Sequence, residues 1–164
     1  MGTPAVADRF GQVGPTVLIA TDGVFYAGKP LDRGEAVNAL RAGLPSVHTL
    51  VLVRSPHART PVQAELDFAQ ATARDDAAVR AFEPVWLPFD HPLWIVYSSG
   101  TTGLPKALVH GHGGVMLMAA VSGLHNDVGC SHEPNNLGER FHWYSSTGWI
   151  MWNAQVAGLL AGAT

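Results

Sequence analysis

The order of apolar and helical segments near the start of the chain limits the possible folds more than any other feature. Thr16–Ala20 is a short apolar run, and Val47–Val53 is rich in β-branched residues. Runs of this kind predict strands buried on both faces, as in parallel sheets. Between them, the apolar residues of 36–44 recur at helical spacing. Strand, helix and strand predict a βαβ unit, and hence an α/β fold with a mostly parallel sheet flanked by helices.

Local signals predict where the other elements begin and end. Asp32 and Glu35 have the spacing of a capping box at the start of the first helix. Pro84, Pro88 and Pro92 exclude a helix around them, and we expect 54–92 to be a linker or extended region. Within and beyond it, we predict a helix at 62–73, strands at 93–97, 107–110 and 140–144, helices at 113–125 and 149–161, and a surface loop at 127–139. We expect strand 93–97 and helix 149–161 to be buried.

Composition excludes several classes of function. The net charge is −3 and the ten Lys and Arg residues are scattered, so no basic patch for nucleic acid is expected. Cys130 is the single cysteine, which excludes an internal disulfide and favours a reducing, cytoplasmic location. Residues 141–164 contain no charged side chain, but Gly148 and several polar residues interrupt them. We therefore expect no membrane span.

A glycine- and hydroxyl-rich loop follows the predicted strand 93–97 and ends in a lysine. Glycines let backbone N–H groups approach a phosphate closely, hydroxyls add donors, and a lysine neutralises phosphate oxygens. We predict an ATP-phosphate site formed by Ser98, Ser99, Gly100, Thr101, Thr102, Gly103 and Lys106. The pattern differs from a Walker A motif, because Ala107 stands where that motif has the Ser or Thr that binds magnesium. The alternative is a surface turn of small residues.

The stretch Tyr97–Lys106 resembles the signature of the adenylate-forming superfamily, which includes acyl-CoA synthetases and luciferases. Three neighbouring segments, Phe89–Trp94, Ala107–Gly114 and Trp143–Asn153, together resemble the acetoacetyl-CoA synthetase family. The resemblance is tight from residue 82 onward and looser before it. It implies that 1–164 is part of the large N-terminal, AMP-binding domain of such an enzyme.

This resemblance implies an AMP-forming acid–thiol ligase. In that family a carboxylate such as acetoacetate attacks the α-phosphate of ATP, and coenzyme A then displaces AMP from the acyl-adenylate. Ser99–Lys106 would hold the β- and γ-phosphates, and Trp149 matches a position that lines the acyl pocket. For Trp149 the alternative is plain core packing. The partners implied are small molecules only.

Several parts of the family's active site have no counterpart in the sequence. We expect the Mg²⁺ ligands and the C-terminal domain to lie outside this chain. We expect the same of the catalytic lysine, since the only lysines here are Lys29 and Lys106. No catalytic residue is therefore assigned, and we expect the isolated chain to be inactive. One alternative is a non-catalytic nucleotide-binding remnant. Another alternative is a metal site with ligands drawn from His110, His112, His125, Cys130 and His132. The spacing of these residues fits no standard zinc pattern, so we expect no metal site.

Overall fold

The computed structural model describes residues 2–98, 103–126, 128 and 140–163. Six helices are present in these residues: α1 (Thr3–Val13), α2 (Gly34–Gly43), α3 (Phe68–Thr72), α4 (Ala77–Arg80), α5 (His112–Asn126) and α6 (Met151–Leu160). Seven strands accompany them: β1 (Val17–Thr21), β2 (Gly23–Tyr26), β3 (Lys29–Asp32), β4 (Thr49–Val53), β5 (Leu66–Asp67), β6 (Pro92–Tyr97) and β7 (Ala107–Gly111). The chain forms two compact units, 1–84 and 85–164.

The predicted βαβ unit is confirmed in the first unit. β1 and β4 pair in parallel, with Leu18 opposite Leu50 and Ala20 opposite Leu52. The connection between them contains β2, β3 and α2. β5 adds a third parallel strand beside β4. This three-stranded parallel sheet with helices confirms the α/β class. The remaining strands form two antiparallel pairs, β2 with β3 and β6 with β7, which the sequence analysis did not predict as pairs.

The core of the first unit lies on one face of the parallel sheet. Its buried side chains are Leu18, Val37, Leu50, Leu52 and Val62, and Phe10 of α1 and Leu40 of α2 pack against them. On the opposite face Val17 is 51% exposed and Ile19 is 61% exposed. Because successive residues of a strand point to opposite faces, α1 and α2 cover one face, and the other carries exposed apolar side chains.

Several predicted elements are wrong in their details. The sequence analysis missed α1 and β3, and the helix predicted at 62–73 is reduced to α3, which follows β5 directly. Residues 140–144 contain no strand. The predicted linker 54–92 includes β5, α3 and α4, and the boundary between the two units falls within it. The predicted loop 127–139 lies outside the described residues, except for Val128.

The predicted capping box at the start of α2 is also wrong. The N-cap residue is Arg33. The Asp32 carboxylate instead accepts hydrogen bonds from the Gly34 N–H at 2.9 Å and from the N–H and hydroxyl of Thr60 at 2.9 and 2.8 Å. These bonds join the start of α2 to the segment that leads into β5. They favour the ionised carboxylate, so the pKa of Asp32 is lowered, with the Gly34 bond as the largest cause.

This lowered pKa makes the stability of the first unit pH-dependent. Because the folded pKa of Asp32 lies below its unfolded value, the stabilisation is complete above the ordinary carboxyl pKa of about 4 and is lost as pH falls through the lowered pKa. We expect Asp32→Asn to lower the free energy of unfolding of the unit at pH 7. The difference in this free energy from the unsubstituted chain should shrink below about pH 4. Urea unfolding at several pH values measures this. A difference that does not change with pH would contradict the assigned cause.

Candidate functional site

The predicted phosphate loop connects two antiparallel strands. β6 and β7 pair from Trp94 opposite His110 to Tyr97 opposite Ala107. Beyond the last pair, the Ser98 N–H donates a hydrogen bond of 3.1 Å to the Lys106 carbonyl. The two ends of the loop are therefore held together by the ladder, and Lys106 lies directly before β7.

Three of the seven predicted loop residues can be placed. Ser98 is half-buried, and Gly103 and Lys106 are exposed. Ser99, Gly100, Thr101 and Thr102 lie outside the described residues. A Cβ added at Gly103 would meet no atom within 4 Å. Packing among the described residues therefore gives no reason for a glycine at this position.

Lys106 is open to a ligand on the described side of the loop. Its side chain is exposed, and the ion pairs of the described part of the chain do not include it. An amine without a carboxylate partner keeps its charge available for an anionic ligand. The other lysine, Lys29, is an exposed residue of β3 in the first unit.

The strands beside the loop are less buried than predicted. Leu93 is 41% exposed and Ile95 is 38% exposed. Within the second unit β6 pairs with β7, and α5 packs against both strands. The short apolar run therefore belongs to an antiparallel pair with one partly covered face, and not to a parallel strand buried on both faces.

Trp149, the predicted acyl-pocket residue, lies in the turn before α6. Its N–H donates to the Ser146 carbonyl, and its own carbonyl accepts from the Trp152 N–H, both at 3.0 Å. The side chain is 65% exposed, so it is not packed into a core of the described residues. The helix predicted at 149–161 is confirmed as α6, but Gly158 is its one buried residue, so the expected burial is wrong.

A cleft of about 400 Å³ lies between α5 and α6. Phe141, Trp143 and Met151 supply its large apolar side chains, and the remaining lining is mostly Ala and Gly, with Ser122, Asn126 and Val128. The Gln155 amide fixes the segment that leads into this cleft, because its oxygen accepts the Trp143 N–H at 2.5 Å. Trp149 is not among the residues that line the cleft.

A second, more open cleft of about 620 Å³ belongs to the first unit, beside α2. Its charged residues have structural partners. Arg41 forms an ion pair with Glu65, and Glu65 also accepts the Leu50 N–H at 2.7 Å. The Leu50 bond is the largest cause of the lowered pKa of Glu65. These contacts hold α2 against the strand region and give both charges a structural role.

The rival metal site has no support among the described residues. Residues 2–98, 103–126, 128 and 140–163 contain no group of three His, Cys, Asp or Glu side chains arranged to hold a metal ion. His112 contacts His91 instead, whereas Cys130 and His132 lie outside these residues.

In the same part of the chain no helix is long and apolar enough to cross a bilayer.

Comparison with known proteins decides the family. The AMP-binding enzyme family matches residues 1–164, which is the whole chain. The chain belongs to this family. Its relatives include the acetoacetyl-coenzyme A synthetase of Rhizobium meliloti, 38% identical over 165 residues, and the acetoacetyl-CoA synthetase of Gallus gallus, 33% identical over 171 residues. Each comparison covers 99% of this chain and 24% of the relative.

Two solved structures share the fold of this chain. An acetoacetyl-CoA synthetase from Streptomyces lividans superposes with a TM-score of 0.84 at 45% identity, over 99% of this chain and 24% of that one. A luciferase-like enzyme from Zophobas morio superposes with a TM-score of 0.67 at 18% identity, which supports the fold alone. The predicted relationship to the acetoacetyl-CoA synthetases is therefore confirmed. The chain spans about a quarter of the length of these relatives.

Proposed function

We propose that this chain supplies the ATP-phosphate loop of an AMP-forming acid–thiol ligase that activates acetoacetate. The observation that carries the proposal is the hairpin tip, where an exposed lysine without an ion-pair partner among the described residues ends a glycine- and hydroxyl-rich loop. The relatives named as acetoacetyl-CoA synthetases, which match 99% of the chain, support acetoacetate as the acid.

The proposed reaction has two steps. A carboxylate oxygen of acetoacetate attacks the α-phosphorus of ATP, and the bond to the bridging oxygen breaks, giving acetoacetyl-adenylate and pyrophosphate. The thiolate of coenzyme A then attacks the acyl carbon, and AMP leaves, giving acetoacetyl-CoA. Lys106 and the loop donors stabilise the negative charge that grows on the departing pyrophosphate. Such preorganised electrostatic stabilisation commonly supplies the largest part of a rate enhancement.

Trp149, exposed in the turn before α6, is the side chain proposed to line the acyl pocket. The described residues hold no cluster of acidic or histidine side chains that fits Mg²⁺. The single cysteine and the net charge of −3 support a cytoplasmic enzyme that acts on small molecules and not on nucleic acid.

Chemical labelling of the two lysines tests the phosphate site. Reductive methylation of this chain, followed by mass spectrometry, compares Lys106 with Lys29 as an internal control. We expect ATP and pyrophosphate to slow the labelling of Lys106 about tenfold and to leave Lys29 unchanged, whereas AMP, which lacks the β- and γ-phosphates, protects neither lysine. Equal labelling of Lys106 with and without ATP would remove the proposed role of the loop.

A further inference from the structure

The end of the β6–β7 hairpin opposite the phosphate loop is held by contacts between Phe89–Pro92 and Gly111–Gly113. We call these two segments the clasp. The Phe89 carbonyl accepts the Gly113 N–H at 2.8 Å, and the His91 carbonyl accepts the His112 N–H at 3.0 Å. The clasp therefore ties the residues before β6 to the start of α5.

Two histidine side chains reinforce the clasp. His112 Nδ1 lies 2.8 Å from the His91 carbonyl oxygen, and His91 Nδ1 lies 3.0 Å from the Pro92 carbonyl oxygen. A carbonyl oxygen only accepts, so both Nδ1 atoms carry a proton and donate. The two rings meet edge to face, with centroids 5.5 Å apart. The His91 carbonyl thus accepts from both the backbone and the side chain of His112.

Two glycines let the two segments approach this closely. A Cβ at Gly113 would lie 2.0 Å from the nearest carbon of the Phe89 ring, and a Cβ at Gly111 would lie 3.1 Å from the Asp90 carbonyl oxygen. The clasp is therefore a close backbone contact that larger residues would open. It is local to the second unit and does not include the predicted phosphate-binding residues.

A ladder with one irregularity connects the clasp to the loop. After an irregularity between Pro92 and Trp94, the pairing runs without interruption from Trp94–His110 to Tyr97–Ala107, and the Ser98 bond to Lys106 follows. Six residue steps of extended chain separate His112 from Lys106, roughly 20 Å. The start of α5 and Lys106 therefore lie at the two ends of the same strand, β7.

We propose that His112 is a positioning residue for Lys106, acting through the clasp and the β6–β7 ladder. The inference rests on the proposed function, because it assumes that Lys106 binds the phosphates. It assigns His112 a role without contact with ATP. It also gives a reason for an imidazole at this position. The Nδ1 atom of His112 donates to the His91 carbonyl, which already accepts the His112 N–H.

Two substitutions of His112 separate the donor from the bulk of the ring. In His112→Asn the side-chain amide nitrogen replaces Nδ1 as a donor, whereas His112→Leu removes the donor and keeps an apolar side chain. Amide hydrogen exchange on the full chain reports on Ser98, at the far end of the ladder. We expect His112→Leu to speed exchange at Ser98 about tenfold and His112→Asn to change it less than twofold. Faster exchange confined to 111–113 would overturn the proposal.

Lysine labelling in the same variants adds a functional reading. We expect the pyrophosphate concentration that half-protects Lys106 to rise about tenfold in His112→Leu and to stay within twofold in His112→Asn. An equal change in both variants, or no change in either, would overturn the positioning role. If pyrophosphate fails to protect Lys106 in the unsubstituted chain, the proposed function fails, and the Ser98 exchange still decides whether the clasp acts along the ladder.

A third variant keeps the test decisive if His112→Leu does not fold. Gly113→Ala leaves His112 in place and pushes against the Phe89 ring, which is 64% exposed and can move aside. We expect a smaller increase of exchange at Ser98, about threefold. Unchanged exchange at Ser98, with faster exchange at Gly111, would show that the clasp is only a local contact.

Discussion

Replacement of Lys106 by alanine is expected to slow pyrophosphate release about a hundredfold, the usual cost of removing one preorganised donor from a site where charge develops. The measurement uses a chimera in which this chain replaces the matching quarter of the Streptomyces lividans acetoacetyl-CoA synthetase. Pyrophosphate is followed with acetoacetate and ATP as substrates. The loss should fall mainly on kcat, because the charge that Lys106 stabilises grows as the α-phosphate bond breaks.

Two control variants make this result specific. Lys29→Ala removes the other lysine of the chain, an exposed residue of β3, and should leave the rate within twofold. Lys106→Arg keeps the positive charge but alters its geometry, and should recover part of the lost rate. A Lys106→Ala chimera that folds and releases pyrophosphate at the unsubstituted rate would show that another group stabilises the leaving pyrophosphate.

Replacement of Leu50 by alanine is expected to lower the free energy of unfolding of the first unit by about 3 kcal/mol. Leu50 is fully buried at the centre of the parallel sheet, and truncation of such a side chain costs both its transfer energy and a cavity. All five tryptophans lie in the second unit, so their fluorescence does not follow the first. Urea unfolding should be followed by amide exchange in β1 and β4.

The opposite face of the same sheet provides the control for Leu50. Ile19 is 61% exposed on β1, and Ile19→Ala should cost less than about 1 kcal/mol because little apolar surface is lost from the core. Equal losses for the two substitutions would contradict the location of the core on the face covered by α1 and α2.

Much of the first unit could be predicted from the sequence because local patterns and global packing agree there. The apolar runs at 16–20 and 47–53 form strands that bury Leu18, Leu50 and Leu52. The predicted burial on both faces is wrong for β1, because Val17 and Ile19 on the opposite face are exposed. The capping box failed because Asp32 bonds to Thr60, which is 28 residues away. No local pattern reports such a partner. Short pieces such as β3 were missed because four residues carry almost no periodic signal.

In the second unit the sequence predicted the elements better than their burial. Leu93–Tyr97 is a strand, but periodicity alone does not say whether an apolar run pairs in parallel or antiparallel. At 140–144, Phe141 instead packs against Gly158 of α6, and the Gln155 amide binds the Trp143 N–H. These contacts replace the ladder that a strand would need.

The phosphate loop could be proposed from the sequence because its chemistry would lie in nine consecutive residues. The clasp could not, since it joins residues 21 positions apart, as in the bond between His112 and His91. The sequences of Phe89–Trp94 and Ala107–Gly114 carry the family resemblance. Their one signal of a mutual contact is the presence of histidines in both segments, His91 and His112.

The most direct test of the central claim is acetoacetate-dependent exchange of labelled pyrophosphate into ATP by the chimera. Exchange requires only the first step, so it reports on adenylate formation without coenzyme A. We predict exchange with acetoacetate that is lost in the Lys106→Ala chimera and kept in the Lys29→Ala chimera. The contrary result is a folded chimera in which ATP protects Lys106 from labelling, but no pyrophosphate exchange occurs with acetoacetate or other short acids. That result would contradict the ligase assignment and support nucleotide binding only.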